Sequence, residues 1–310
     1  MYAIGIDLGG TSVKYALISK EGRFIYEGTL PSYADISAEA VVSQLLKAIG
    51  EIKEYASVNN IPLKGIGIGT PGIIDDTNRV VIGGAENIVG WENIDLAGII
   101  EKETSLPVVV SNDANVMGFA EATYGAAKDS THVVFLTVGT GIGGAVIIDG
   151  KLFNGFANRG TELGHVPLIA NGEKCACGSV GCLETYASTS ALVRKFSTEC
   201  HKAGRTFDGR EINGKLIVEL YKQGDELATE WLDEHCFYLE RGIVGFINIF
   251  SPQKIVIGGG LSEAGGCYIQ NVSQQAYRQV MADKGVSTRF MVAELGDKAG
   301  GLVAASLIFE

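Results

Sequence analysis

The sequence has no dense cluster of lysine or arginine. Its 25 basic residues are outnumbered by 36 acidic ones, for a net charge of −11. That balance argues against long phosphate backbones and anionic membrane surfaces as partners, because both are bound through concentrated positive charge. No apolar run approaches the roughly 20 residues that span a bilayer. No leader is visible: Met1 is followed directly by Tyr2-Ala3-Ile4-Gly5-Ile6-Asp7, a strand pattern with no basic region and no long apolar region. These absences predict a cytoplasmic protein with neither nucleic acid nor membrane as partner. The glycine-rich segments also lack the glycine spacing and the Gly-Lys-Ser/Thr ending of a P-loop.

What is present is an ordinary globular composition, with 46% apolar and 20% charged residues in a chain of 310. That is enough for one large domain or two modest ones. Strands and helices alternate. Residues 2–8, 12–18 and 23–29 read as strands, and 37–57 as a helix with Val41, Leu45, Ile49 and Ile52 at helical spacing. Further strands are expected at 64–69, 108–111, 133–138, 142–149, 151–153 and 254–257, and further helices at 112–126, 225–250, 268–283 and 298–309. One pattern organises the series. IGIDLGGTSVKYALI (4–18) can be laid over VFLTVGTGIGGAVII (134–148), placing Asp7 on Thr137, Gly9 on Gly139 and Leu17 on Ile147. Glu21-Gly22-Arg23 and Asp149-Gly150-Lys151 then follow as turns of one form. Two matched turns in one order predict an internal duplication, hence two similar domains that face each other across a cleft.

Glycine, at 42 residues, gathers at the ends of apolar runs. In DLGGT (7–11) a strand ends in Asp7 and passes into a glycine turn, so backbone N–H groups can approach a phosphate unobstructed. Asp7 can hold Mg²⁺ through water, and Lys14 can reach a phosphate. TVGTGIGG (137–144) suits a second phosphate clamp, and GGGLS (258–262) after a buried strand suits close approach of a flat or charged ligand part. Each of these taken singly is also an ordinary tight turn. In SNDAN (111–115), Asn112 and Asp113 can cap a helix. Alternatively, Asp113 can take a proton from an attacking hydroxyl.

HVPLIANGEKCACGSVGCLE (165–184) holds His165, Cys175, Cys177 and Cys182 in the spacing H-x9-C-x-C-x4-C. Three thiolates and one imidazole suit a closed tetrahedral Zn²⁺ site, with Gly172, Gly178 and Gly181 letting the loop fold tightly. A redox disulfide is the alternative, weakened because C-x-C is not C-x-x-C. Four protein ligands leave no open position, so the metal is expected to be structural. If one nitrogen of His165 binds zinc, the other is aimed elsewhere, and Glu162 and Glu184 flank the knot as a hydrogen-bonding wall for a polyol. Cys200, Cys236 and Cys267 are expected as small buried hydrophobes.

Together these segments, with TPGIID (70–75), AENIVGW (85–91) and IGGGLS (257–262), resemble the ROK family of repressors, open reading frames and sugar kinases, in the family's order along essentially the whole chain. The resemblance implies an α/β, two-domain actin/hexokinase-like ATPase fold of duplicated β-β-β-α-β-α units closing over ATP and a sugar. It implies that Asp113 is the base for the sugar's 6-hydroxyl. Gly72, Asn87, Asn112, Glu162, His165 and Glu184 would contact the sugar. Asp7, Gly9, Gly10, Thr11, Lys14, Thr137, Gly139 and Thr140 would hold Mg²⁺ and phosphates, and Gly258, Gly259 and Gly260 would lie near adenosine. Where the family often has Ala before the Glu of Glu-x-Gly-His, this chain has Thr161.

The expected activity is ATP-dependent phosphorylation of a hexose, glucose first. N-acetylmannosamine, N-acetylglucosamine, fructose and allose are the alternative substrates, and a sugar-sensing repressor or a sugar-free actin-like ATPase the alternative classes. The acidic charge and a first strand beginning at Tyr2 speak against the repressor, and the knot speaks against the ATPase. A homodimer is expected, with a small domain of 1–111 plus 298–310 and a larger one of 112–297.

Overall fold

A computed structural model describes the chain except for Glu86, Asp208, 263–265, 282–286, 297–303 and Glu310. The strands, in chain order, are β1 (Tyr2–Leu8), β2 (Ser12–Ser19), β3 (Phe24–Pro31), β4 (Leu63–Thr70), β5 (Ile73–Ile74), β6 (Val80–Gly83), β7 (Ile94–Asp95), β8 (Val108–Asn112), β9 (Val133–Val138), β10 (Ile142–Ile148), β11 (Lys151–Leu152), β12 (Lys254–Gly258) and β13 (Arg289–Val292). The helices are α1 (Ala38–Val58), α2 (Leu96–Thr104), α3 (Asp113–Thr123), α4 (Leu183–Ala187), α5 (Thr189–Lys202), α6 (Gly214–Lys222), α7 (Glu226–Phe250) and α8 (Gly266–Tyr277).

Two five-stranded sheets share one plan. The first has the order β3-β2-β1-β4-β8 and the second β11-β10-β9-β12-β13. In each, the leading strand pairs antiparallel with its hairpin partner and parallel with the strand on its other side. The duplication therefore extends to the whole sheet, with one correction to its register. Leu8 pairs with Val13, but Val138 pairs with Ile142, so the second glycine turn is one residue tighter. Leu17, opposite Ile4, corresponds to Val146, opposite Val134, and not to Ile147. An ungapped overlay cannot register a deletion inside the turn.

Each sheet has its own apolar core. In the first, α1 buries Val41, Leu45, Ala48, Ile49, Ile52 and Ala56, a stripe at i, i+4, i+7 spacing, against Ile4, Ile6, Ile66 and Ile68. Ser37 caps the helix by accepting from the Ala40 N–H at 3.2 Å. In the second, Leu136, Val146, Phe196, Leu239, Phe246 and Ile257 belong to one cluster, joined by Cys200 and Cys236 as buried apolar groups. Among the described residues no helix is long and apolar enough to cross a membrane.

The chain divides into a first unit of Met1–Tyr124, Leu152–Gly160 and Asp297–Glu310 and a second of Gly125–Lys151 and Thr161–Gly296. The expected boundary at 111 falls too early, because α3 packs on β4 and β8 of the first sheet. A Cβ on Gly69 of β4 would lie 3.3 Å from Val116 of α3, so the helix sits close to the strand. Residues 152–160 join the first unit, where Asn158 Nδ2 donates to the Asp75 carbonyl at 2.7 Å and to Asn78 Oδ1 at 2.8 Å. The expected helix 268–283 ends at Tyr277, and of the expected helix 298–309 the first half lies outside the described residues, while 304–306 are helical.

Candidate functional site

In the first unit β1 ends in the DLGGT turn, where the Gly9 N–H donates to the Ser12 carbonyl at 2.9 Å. Asp7 and Lys14 are direct cross-strand partners and share a face of the sheet. A Cβ on Gly10 would lie 3.0 Å from Asn87 Nδ2, so the turn and the 87–91 segment meet. Asn87 is exposed, while Ile88 and Trp91 behind it are buried. The Trp91 indole donates to Thr70 Oγ1 at 2.9 Å, which ties this segment to the end of β4.

Gly72 follows with φ +104°, and a Cβ there would lie 2.7 Å from the Gly83 carbonyl oxygen. Its own carbonyl accepts from Asn112 Nδ2 at 3.1 Å. Asn112 Oδ1 accepts from the N–H groups of Ala114 and Asn115 at 3.0 and 3.3 Å, so Asn112 is the N-cap of α3. Asp113 is the first helical residue and is half-buried, with Oδ1 2.8 Å from the Ala114 N–H. Desolvation raises its carboxyl above the usual carboxylate range. The Ala114 and Asp113 N–H groups and the Asn112 side chain pull the other way. The structure thus joins Gly72 to Asn112 and Asp113, and Gly10 to Asn87.

In the second unit the Gly139 N–H donates to the Gly141 carbonyl at 2.9 Å, and the Thr189 N–H at the start of α5 donates to the Gly139 carbonyl at 2.9 Å. Thr137 pairs with Gly258 of β12, so the second glycine turn and the triple glycine lie side by side. Gly259 has φ +96°, and a Cβ there would lie 2.2 Å from the Val138 carbonyl oxygen, so only glycine fits. Beyond them is a pocket lined by Gly260, Leu261, Thr189, Asn213, Lys215 and Glu219, among others. The α5 and α6 contributions to it were not foreseen. The Asn213-Gly214 start of α6, where Asn213 Oδ1 accepts from the Leu216 N–H at 3.0 Å, is the sequence signal that marks them.

The knot gathers as its spacing predicts. One ligand atom from each of His165, Cys175, Cys177 and Cys182 lies within 4.8 Å of all the others. Cys175 Sγ is 3.6 Å from His165 Nδ1, and Cys177 Sγ is 3.7 Å from Cys182 Sγ. A tetrahedral zinc site with ordinary bond lengths has edges of about 3.6 Å for S–N and about 3.8 Å for S–S. His165 Nδ1 faces the thiols, leaving Nε2 on the opposite side of the ring.

Two carboxylates flank the knot. Glu162 is exposed. Glu184, on α4, has Oε2 2.8 Å from the Ile142 N–H, and a Cβ on Gly141 would lie 2.3 Å from that oxygen. Glu184 therefore braces the second glycine turn, a contact that its position in the sequence does not reveal.

The ROK family profile matches residues 3–310. The glucokinase of Thermotoga maritima is 33% identical, over 99% of this chain and 97% of its own. The xylose repressor of Bacillus spizizenii is 29% identical, over 100% of this chain and 77% of its own. The crystal structure of a ROK family glucokinase from Streptomyces griseus, in complex with glucose and AMPPNP, superposes with a TM-score of 0.81 at 30% identity, covering 99% of both chains. The paired sheets are accordingly those of the two-domain actin-like ATPase fold, and the chain belongs to the ROK family.

Proposed function

We propose that this chain transfers the γ-phosphoryl group of MgATP to the 6-hydroxyl of a hexose, with glucose as the substrate. The observation that carries this reading is Asp113. It stands at the first helical position of α3 with its carboxyl raised by desolvation, while Asn112 performs the capping. A carboxylate whose pKa lies nearer the working pH is a better proton acceptor for an attacking hydroxyl. The relatives named glucokinase, one of them bound to glucose and AMPPNP, support the choice of sugar and donor.

In this reading Asp7, Gly9, Gly10, Thr11 and Lys14, with Thr137, Gly139 and Thr140, hold Mg²⁺ and the phosphates through backbone donors and charge. The pocket at Gly260 receives the adenosine, beside Gly258 and Gly259. Asn87, Asn112, Glu162, His165 and Glu184 hold the remaining sugar hydroxyls, with Gly72 positioning Asn112. The four knot ligands fit structural Zn²⁺, which would fix the ring of His165 and with it the direction of Nε2.

The test is ADP release with MgATP against glucose, N-acetylmannosamine, N-acetylglucosamine, fructose, allose and no sugar. Strong turnover with glucose is expected, and strong turnover with another sugar alone replaces glucose in the assignment. The similarity to xylose repressors favours a second reading, a sugar-sensing regulator. Sugar binding by calorimetry with no ADP release across the panel is the result that selects it.

A further inference from the structure

Thr161 adopts a backbone conformation that its side chain disfavours. Its φ is +65°, in the left-handed region where a β-branched side chain crowds the main chain. The next residue, Glu162, has φ −73° and ψ 65°, the geometry of an inverse γ-turn. The turn is closed by the Leu163 N–H, which donates to the Thr161 carbonyl at 2.8 Å. Downstream, the chain is pinned. The His165 N–H donates to the Glu162 carbonyl at 3.0 Å. A Cβ on Gly164 would lie 2.0 Å from the Ile142 carbonyl oxygen, and one on Gly144 would lie 2.6 Å from Leu163 Cδ1, so this turn packs closely on β10. Upstream, the Gly160 N–H donates to the Asn154 carbonyl at 2.7 Å. Thr161 lies between these two hydrogen-bonded stretches. Glycine would take this φ without steric cost, yet threonine stands here. Strain of this kind persists only where the surroundings over-determine it, and it gathers at functional positions.

We infer that Thr161 is a positioning residue: its left-handed, conformationally restricted backbone holds Glu162 in the inverse γ-turn and so aims the Glu162 carboxylate at the sugar. This rests on the sugar-kinase reading and extends it, by assigning sugar affinity to a backbone joint as well as to side-chain contacts. Glycine at 161 relieves the crowding but opens other backbone conformations to the Glu162 peptide.

The test uses the full chain, with steady-state kinetics and thermal melting of Thr161→Gly and Thr161→Asn on the sugar that supports turnover. Thr161→Gly is expected to raise the KM for sugar about fivefold or more, with kcat and the KM for ATP within about twofold of the unchanged protein. Its melting temperature is expected to hold or rise, because strain is released. Asparagine tolerates the left-handed region and keeps a side chain, so Thr161→Asn should hold the sugar KM within about twofold. A sugar KM for Thr161→Gly within about twofold of the unchanged protein overturns the inference and leaves the kinase reading standing. Lower melting with both KM values raised makes Thr161 a structural residue only, and equally overturns it. Absence of sugar-dependent ADP release from the unchanged protein overturns the kinase reading itself.

Discussion

Asp113 is the residue at which stability and the proposed chemistry oppose each other. A helix N-terminus favours a negative charge, yet at Asp113 desolvation prevails and the carboxyl is raised. The folded chain therefore keeps this proton to a higher pH than the unfolded chain does. The ionised carboxylate lowers stability at neutral pH, and this loss fades as the pH falls through the raised pKa and is gone below the ordinary carboxylate value. Because Asn112 supplies the cap, Asp113→Asn leaves α3 capped. That variant is expected to lose about 10²- to 10⁴-fold in kcat, with little change in sugar binding. It should also melt higher than the unchanged protein at neutral pH, with the gain vanishing toward about pH 4. Kinetics and melting curves across pH check both halves. Near-normal kcat in Asp113→Asn removes the base from the mechanism.

Among the elements, the short α4 links two parts that are far apart in sequence. Cys182 of the knot is its N-cap, and Glu184, on its first turn, holds the Ile142 N–H at the end of the second glycine turn. A disturbance of the knot should therefore reach the second glycine turn, and in the proposed function both the phosphate and the sugar contacts. Glu184→Ala is expected to raise the KM for ATP and the KM for sugar together, each about tenfold, whereas Glu162→Ala should raise the sugar KM alone. An unchanged ATP KM in Glu184→Ala would mean that the brace on Ile142 does not serve nucleotide binding. The gathering of the knot was legible in the spacing of His165, Cys175, Cys177 and Cys182, because these residue types at this spacing form a candidate ligand set. The brace was not legible, because its partner is a backbone N–H 42 residues upstream and no side chain advertises it. For the same reason the sequence does not show which of Asn112 and Asp113 caps α3, whereas the Asn112 hydrogen bonds identify it as the cap. Regular elements followed their patterns closely: β1 spans Tyr2–Leu8, and α7 spans Glu226–Phe250. The small sheet β5-β6-β7 escaped because two of its strands have only two residues each, too short for any period to register. The edge strand β13 escaped because it is only partly buried and shows no alternation.

For the whole molecule, one consequence of the duplicated plan is that each unit carries its own core, so a buried titration in one core should set that core's response to acid. His235, on α7 in the core of the second unit, is such a group, with Nε2 2.9 Å from Tyr268 Oη. Burial, aided by the positive charge of Lys195, pushes its pKa down from 6.5 to about 4. Between those values the unfolded chain holds a proton that the folded chain does not. The stability from keeping His235 neutral is therefore present above about pH 6.5 and is lost as the pH falls toward about 4. The loss between about pH 7 and pH 5 is on the order of 2 kcal/mol. His235→Gln cannot take up this proton and should flatten the acid slope by a comparable amount, even though losing the imidazole lowers stability at neutral pH. Denaturant titrations of both proteins at the two pH values measure the difference of differences, in which the fixed penalty of the substitution cancels. Parallel pH slopes for the two proteins would show that the acid sensitivity resides in groups other than His235.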